Sequence, residues 1–209
     1  MTENIIQQIE EKKVFAVVRC DEYQKAIDIS HALIEGGIKL IEITVNFENS
    51  YKAIKEISKI DGVSVAAGSI ITNNQATAAI NAGAKLLVSP VLELSIIKLC
   101  KGHCIPLITG ASTVNEAYNA WKLGVSMSKL FPARAMGGHK YVRDILKPMP
   151  FLKLMPTSGI RIDDFTDYLD AGAVAVGLGK ALYGKAQDSS EITKNSKLVI
   201  EKLNEYLSR

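Results

Sequence analysis

The chain contains few cysteines and histidines, and neither residue type forms a pattern that indicates a special site. Three cysteines are an odd number in a chain long enough to bury a core without disulfides, which favours a reducing cytoplasm. Only His103 lies beside cysteines, Cys100 and Cys104, and this segment lacks the fourth ligand that a tetrahedral zinc site needs. We therefore predict a cytoplasmic protein without a metal site, and we expect no other cofactor.

The charges also lack a pattern, because basic residues alternate with acidic residues and form no cationic stripe. The 25 lysines and arginines against 22 aspartates and glutamates leave a formal net charge of +3, which gives no support to nucleic-acid binding. Residues 1–13 include early acids and no long apolar stretch, which excludes a secretory signal or membrane span there. We expect a short amphipathic helix and neither a nucleic-acid nor a membrane partner.

Short apolar runs recur along the chain, separated by segments with apolar residues three and four positions apart. This alternation predicts eight strands, at 14–19, 40–45, 63–67, 86–89, 105–108, 128–131, 152–155 and 173–177. It also predicts helices at 22–35, 50–58, 74–82, 92–100, 114–123, 140–146, 163–170 and 190–207. Eight strand–helix units over 1–209 fit one (β/α)8 barrel domain with an extra N-terminal helix.

An open, doubly wound parallel sheet is the alternative fold for this pattern. We prefer the barrel because polar residues end strands along the whole chain, whereas an open sheet concentrates them at one crevice. Helix boundaries carry local signals of their own. Glycines precede several strands and allow left-handed helix ends, and the predicted N-caps are Asp21, Asn49, Asn73 and Thr113.

Lys129 lies near the end of the sixth predicted strand, in the segment Ser-Met-Ser-Lys-Leu-Phe-Pro-Ala. Most lysines at such positions extend their charged end to water. A lysine that points into an apolar barrel is different, because burial of an ammonium lowers its pKa and supplies a neutral amine that attacks ketones. Polar residues at the other strand ends favour this second interpretation, and it predicts Schiff-base formation.

Glu42 and Thr44 share one face of the second predicted strand, and we expect that face to point inward. A carboxylate at this position either forms a structural ion pair or moves protons, and the presence of Lys129 favours proton transfer. Arg19 ends the first strand, so the strand ends supply an amine, a carboxylate and a guanidinium. Barrel enzymes place catalysis at this face, which makes the set a candidate active site.

The segments 156–160 and 176–180 follow the last two strands and are rich in small residues. Exposed backbone amides in such loops bind phosphate, although glycine in a turn can also be purely geometric. Two adjacent loops together with a lysine favour the phosphate interpretation. The candidate residues are Ser158, Gly159, Gly179 and Lys180.

The chain resembles the 2-keto-3-deoxy-6-phosphogluconate (KDPG) aldolases, a family with 4-hydroxy-2-oxoglutarate (KHG) and 6-phosphogalactonate relatives. Nine blocks in the same order carry the resemblance: 16–19, 35–37, 41–44, 67–69, 88–90, 110–113, 129–133, 156–160 and 176–179. It implies a metal-free, trimeric class I aldolase that cleaves a phosphorylated keto-deoxy sugar acid to pyruvate and glyceraldehyde 3-phosphate. KHG cleavage to pyruvate and glyoxylate is a further activity of the family.

The resemblance also implies a role for each matching residue. Lys129 corresponds to the Schiff-base lysine, Glu42 to the acid/base glutamate, and Thr157 to a residue linked to stereochemical preference. The pyruvate part of the substrate would contact Arg19, Ser69, Thr44, Asn46, Pro90 and Phe131.

Several positions depart from the family pattern and bear on substrate choice. Asn46 stands where many members have an arginine for the pyruvate carboxylate, and Arg19 is expected to replace it. Asn46 favours a galactonate-type substrate, whereas Thr157 favours the gluconate type. The other departures are Ser69 for threonine, Ser158 for glycine, Lys180 for serine and Arg134 for glutamate. A phosphosugar isomerase or epimerase, or a non-catalytic sugar-phosphate binder, remains an alternative on the same barrel.

Overall fold

Eight parallel strands form the centre of the computed structural model, which describes residues 5–186 and 188–209. They are β1 (Val14–Val18), β2 (Leu40–Thr44), β3 (Ser64–Gly68), β4 (Leu86–Val88), β5 (Leu107–Ala111), β6 (Met127–Leu130), β7 (Leu154–Pro156) and β8 (Val176–Leu178). Each strand pairs with the next from β1 to β7, and β1 also pairs with β8. An isolated parallel bridge between Thr157 and Gly177 joins the two remaining edges.

This sequential order confirms the predicted (β/α)8 barrel. The open doubly wound sheet is wrong, because its strand order reverses at a switch point and leaves two free edges. The predicted boundaries differ from the observed ones by a few residues. The largest differences are in β5, which extends to Ala111, and in β8, which begins at Val176 after the turn at Gly172.

Helices surround the barrel, with α1 (Ile5–Lys12) ahead of the first strand. The others are α2 (Tyr23–Glu35), α3 (Ser50–Ile57), α4 (Asn73–Asn81), α5 (Leu94–Gly102), α6 (Val114–Lys122), α7 (Gly138–Leu146), α8 (Phe165–Asp170), α9 (Lys180–Tyr183) and α10 (Ser189–Leu207). The N-terminal helix was predicted over 1–13, of which 1–4 lie outside the described residues. The described helices include none that is long and apolar enough to cross a membrane.

The barrel interior is apolar toward the N-terminal ends of the strands. Phe15, Leu40 and Leu86, which are all buried, cluster there with isoleucines of α1, Ile5 and Ile9 among them. Helix α1 therefore covers that end of the barrel and packs its apolar face on the interior side chains. Polar side chains that point inward are concentrated toward the opposite end, where the strands terminate.

The predicted N-cap at Thr113 is confirmed, and it forms a complete capping box at the start of α6. The Glu116 N–H donates to Thr113 Oγ1 over 3.3 Å, and the Thr113 N–H donates to Glu116 Oε2 over 2.8 Å. Two donated backbone N–H groups, from Ser112 and Thr113, lower the pKa of Glu116. The cap fixes α6 directly after β5.

Replacement of Thr113 by alanine is expected to lower the free energy of unfolding by about 1 kcal/mol, because one amide of α6 loses its acceptor. Urea unfolding followed by circular dichroism measures the change. Thr113→Ser keeps the hydroxyl and serves as the control. An alanine variant as stable as the parent would contradict the role of the cap.

The other three predicted caps are wrong in position or in bonding. Helix α4 is capped by Thr72 instead of Asn73, because Thr72 is extended and accepts the N–H of Gln75. Helix α2 has Glu22 at the N-cap position instead of Asp21, without a side-chain cap bond. Asn49 does precede α3, but its backbone is left-handed, at a φ of 63°, and its side chain accepts no cap bond. The predicted left-handed glycines are confirmed where several helices end.

Candidate active site

Lys129 and Glu42 meet inside the barrel, although they are 87 positions apart in the chain. Lys129 comes from β6 and Glu42 from β2, which lie on opposite sides of the eight-strand ring. The Nζ atom of Lys129 lies 3.2 Å from Oε1 and 3.3 Å from Oε2 of Glu42. Glu42 is fully buried and Lys129 is 6% exposed, so the structure confirms that both side chains point inward.

Two glycines, Gly68 beside β2 and Gly110 beside β6, leave space around the strands that carry this ion pair. A Cβ atom on Gly68 of β3 would lie 2.0 Å from Glu42 Oε1, inside the carboxylate. Gly110 of β5 pairs in register with Lys129, and a Cβ atom there would lie 1.9 Å from the carbonyl oxygen of Pro90. Side chains at either position would displace the Glu42 carboxylate or the Pro90 backbone.

Replacement of Gly68 by alanine is therefore expected to reduce activity at least about a hundredfold, the size of effect that an ångström-scale displacement of a catalytic group produces. Thermal unfolding is expected to shift downward as well, because the added methyl overpacks the interior. Gly102→Ala is a suitable control, since a Cβ atom there has nothing within 4 Å. Unchanged kinetics in the Gly68 variant would show that the Glu42 position is not critical.

Arg19 lies at the end of β1 and contacts Ser69 at the end of β3. Its Nη2 atom donates to Ser69 Oγ over 2.9 Å, and Ser69 adopts a left-handed φ of 64°. The hydroxyl of Tyr183 accepts the Arg19 backbone N–H over 2.9 Å and donates to the Val17 carbonyl over 2.9 Å. Burial raises the pKa of Tyr183. Tyr183 thus fixes the backbone that presents Arg19, a role that the sequence analysis did not predict.

Thr44 and Asn46 connect the ends of β1 and β2. The Thr44 hydroxyl contacts the Val18 carbonyl at 3.2 Å and lies very close to Asn46 Oδ1. Asn46 Nδ2 donates to the Cys20 carbonyl over 3.1 Å. Both polar groups of the Asn46 amide are therefore engaged with the protein, and direct substrate contact by Asn46 or Thr44 stays a prediction.

A cavity of about 400 Å³ opens beside Lys129 among the ends of β1, β6, β7 and β8. Eight predicted site residues line it: Arg19, Lys129, Phe131, Thr157, Ser158, Gly159, Gly179 and Lys180. Six lining residues were not predicted: Val17, Ile160, Arg161, Gly177, Ala181 and Tyr183. The predicted residues that lie outside the lining are Glu42, Thr44, Asn46, Ser69 and Pro90.

The charged side chains that line the cavity are all cationic. Its lining includes Arg19, Lys129, Arg161 and Lys180, and no aspartate or glutamate of the described residues lines it. A concave site with charges of one sign attracts ligands of the opposite sign. The cavity therefore suits an anionic ligand, with a buried amine on its wall and a carboxylate directly behind that amine.

This arrangement supports nucleophilic chemistry on a carbonyl group. Transfer of a proton from Lys129 to the adjacent Glu42 gives a neutral amine, and the same carboxyl group can then return the proton to an oxygen or carbon of the bound molecule. Glu42 is fully buried behind the amine, whereas Lys129 reaches the cavity. Around Cys100, His103 and Cys104, and elsewhere in residues 5–186 and 188–209, no three histidine, cysteine or acidic side chains are grouped to hold a metal.

Comparison with known proteins agrees with this chemistry. The family model "KDPG and KHG aldolase" matches residues 5–198. The chain belongs to the KDPG and KHG aldolase family. The KHG/KDPG aldolase of Escherichia coli K12 is 32% identical over 193 residues, which cover 90% of this chain and 91% of that protein. Aldolases are carbon–carbon lyases, and this is the enzyme class of the chain.

Other members of the family give similar matches. The 2-dehydro-3-deoxy-phosphogluconate aldolase of Haemophilus influenzae is 32% identical over 169 residues, which cover 80% of each chain. The KDPG aldolase of Legionella pneumophila has a crystal structure with pyruvate captured at low pH as a covalent carbinolamine intermediate. That structure superimposes with a TM-score of 0.86 at 27% identity, and the match covers 95% of this chain and 99% of the other.

Proposed function

We propose that this protein is a class I aldolase that cleaves KDPG reversibly to pyruvate and glyceraldehyde 3-phosphate. The observation that carries the proposal is the buried Nζ atom of Lys129, which contacts both carboxylate oxygens of Glu42 and lines a cationic cavity. Two further findings support it. The curated relatives are KDPG or KHG/KDPG aldolases, and one family member forms a covalent carbinolamine with pyruvate.

In the proposed mechanism, Lys129 transfers a proton to Glu42 and its neutral amine attacks the C2 carbonyl carbon of the substrate. The resulting carbinolamine loses its hydroxyl group as water, with a proton returned by Glu42, and becomes a protonated imine. The imine accepts the electron pair of the C3–C4 bond as that bond breaks and the C4 hydroxyl loses its proton. Glyceraldehyde 3-phosphate leaves, the enamine gains a proton at C3, and hydrolysis releases pyruvate.

The two charged ends of the substrate are proposed to occupy different parts of the site. Arg19, which contacts Ser69, is proposed to hold the carboxylate, because a guanidinium binds a carboxylate through two parallel hydrogen bonds. The phosphate is proposed to lie near Ser158, Gly159, Gly179 and Lys180, which line the cavity after β7 and β8. Phe131 and Thr157 line the part between and would contact the reacting carbons.

Release of pyruvate, coupled to lactate dehydrogenase and NADH, tests the proposal directly. KDPG, its galactonate epimer and KHG should be compared at equal concentrations, and we expect the highest kcat/KM with KDPG. A higher value with the epimer would make the galactonate-type compound the substrate and would support the interpretation that Asn46 favours it. Absence of pyruvate from all three, in a folded sample, would favour an isomerase or a non-catalytic binder.

Three expectations about the protein as a whole belong to the same proposal. We propose one catalytic domain, a homotrimer in solution and a cytoplasmic location. The location draws support from Cys20, Cys100 and Cys104, all of which are unpaired. Sedimentation equilibrium checks the assembly, and a mass equal to one chain would contradict the trimer.

A further inference from the structure

Two arginines and one aspartate form a cluster at the barrel mouth: Arg161 and Asp164 lie in the loop after β7, and Arg134 lies in the loop after β6. Asp164 accepts the Arg161 backbone N–H over 2.7 Å and Arg161 Nε over 3.0 Å. The same carboxylate accepts Arg134 Nη1 over 2.9 Å, and this nitrogen also donates to the Gly159 carbonyl over 3.1 Å. The side chain of Asp164 is only 16% exposed, so the carboxylate that joins the two arginines is well packed.

The cluster fixes the direction of the Arg161 side chain and leaves its outer part available. Asp164 accepts hydrogen bonds from the backbone N–H and the Nε of Arg161. The two Nη atoms of Arg161 have no hydrogen-bond partner among the described residues. Asp164 hydrogen-bonds to both arginines, so its one carboxylate is shared between two guanidinium groups. Arg161 also lines the cavity that contains Lys129, together with Lys180 from the neighbouring loop.

We propose that Arg161, oriented by Asp164, binds the phosphate end of the substrate and determines the preference for phosphorylated over unphosphorylated ligands. The inference rests on the proposed aldolase function and adds a specificity residue to it. Its chemistry is that of a guanidinium fork, whose two free Nη groups match two oxygens of a phosphate dianion. Arg161 touches the ligand in this proposal, and Asp164 is a positioning residue that acts through it.

The first test is Arg161→Gln, with KDPG cleavage compared with borohydride trapping of pyruvate, which carries no phosphate. Loss of one charge-assisted contact is expected to lower kcat/KM for KDPG about ten- to a hundredfold relative to the trapping rate, mainly through KM. Arg161→Lys keeps the charge without the fork and should recover part of the loss. Arg143→Gln, an exposed arginine on α7, removes the same charge outside the cavity and should lower neither value.

Asp164→Asn tests the positioning role. It is expected to raise KM for KDPG in the parent protein by about tenfold. In the Arg161→Gln background it should raise KM by less than about twofold, because the two substitutions remove the same contact between Arg161 and phosphate. Equal losses in cleavage and trapping, or additive effects of the two substitutions, would overturn the proposal.

Binding of inorganic phosphate separates this proposal from the proposed activity. Phosphate is expected to raise the melting temperature of the parent protein and of Arg143→Gln, and to raise that of Arg161→Gln less at the same concentration. This result would support the phosphate site even if no aldol cleavage were found. Identical phosphate stabilisation of all three proteins would overturn the site, even in an active aldolase.

Discussion

Replacement of Lys129 by methionine is expected to lower aldol cleavage by at least about a thousandfold and to abolish the borohydride-trapped pyruvate adduct. Methionine matches the length of the lysine side chain closely but has no nucleophilic nitrogen. Intact mass after incubation with pyruvate and borohydride, followed by peptide mapping, measures the adduct and its position. An adduct on another lysine, or retained turnover, would contradict the role of Lys129.

Stability has to be measured beside activity, because this substitution leaves the fully buried Glu42 without its partner. Removal of one member of a buried ion pair typically costs about 3–5 kcal/mol, enough to unfold a marginal protein. Two companion variants keep the test valid. Lys129→Arg retains a cation beside Glu42, and the Lys129→Met, Glu42→Gln double variant removes both charges, so each is expected to be more stable than Lys129→Met.

Lys59→Met is the matched control for the lysine substitution. Lys59 is exposed, lies beyond the end of α3 and lines none of the cavity. We expect the activity, adduct formation and melting temperature of the Lys59→Met variant to equal those of the parent. Together the four variants separate the loss of a nucleophile from the loss of a charge and from the loss of the fold.

The contact between Lys129 and Glu42 could be predicted from sequence because two simple regularities determine its position. Alternation along a strand places Glu42 and Thr44 on one face, and closure of parallel strands brings all strand ends to one mouth. The observed contact between Lys129 and Glu42 follows from both. Neither regularity depends on details of loop conformation, so the prediction survived boundary errors of a few residues.

The loops around the mouth were less predictable because their geometry depends on contacts between distant segments. Tyr183 lies in α9, a helix of four residues that is too short to show a periodic pattern. Arg161 owes its orientation to Asp164, which also binds Arg134 from the loop after β6. The polar groups of Asn46 form hydrogen bonds at the ends of β1 and β2, and the spacing of residues in the sequence does not predict such bonds.

The substitution Glu42→Gln is expected to reduce kcat for KDPG cleavage by about 10²- to 10⁴-fold, the usual contribution of a general acid or base. Glutamine has nearly the same shape and can still accept a hydrogen bond from Lys129, so the amine keeps its position. What it loses is the ability to take and return a proton. Pyruvate trapping by borohydride should therefore slow without disappearing, in contrast to the Lys129→Met variant.

A proton-exchange experiment shows which steps need the Glu42 carboxylate. In D₂O the parent protein should exchange the methyl protons of pyruvate through the enamine, and proton NMR follows the loss of the methyl signal. We expect exchange in Glu42→Gln to fall at least as much as cleavage, because the proposed mechanism assigns every proton transfer at the imine to this one carboxylate, which is fully buried against Nζ of Lys129. Glu205→Gln on the exposed side of α10 removes the same charge and should exchange at the parent rate. Exchange at the parent rate in the Glu42 variant, with cleavage lost, would restrict Glu42 to carbinolamine formation and dehydration and require another group to move the proton at C3.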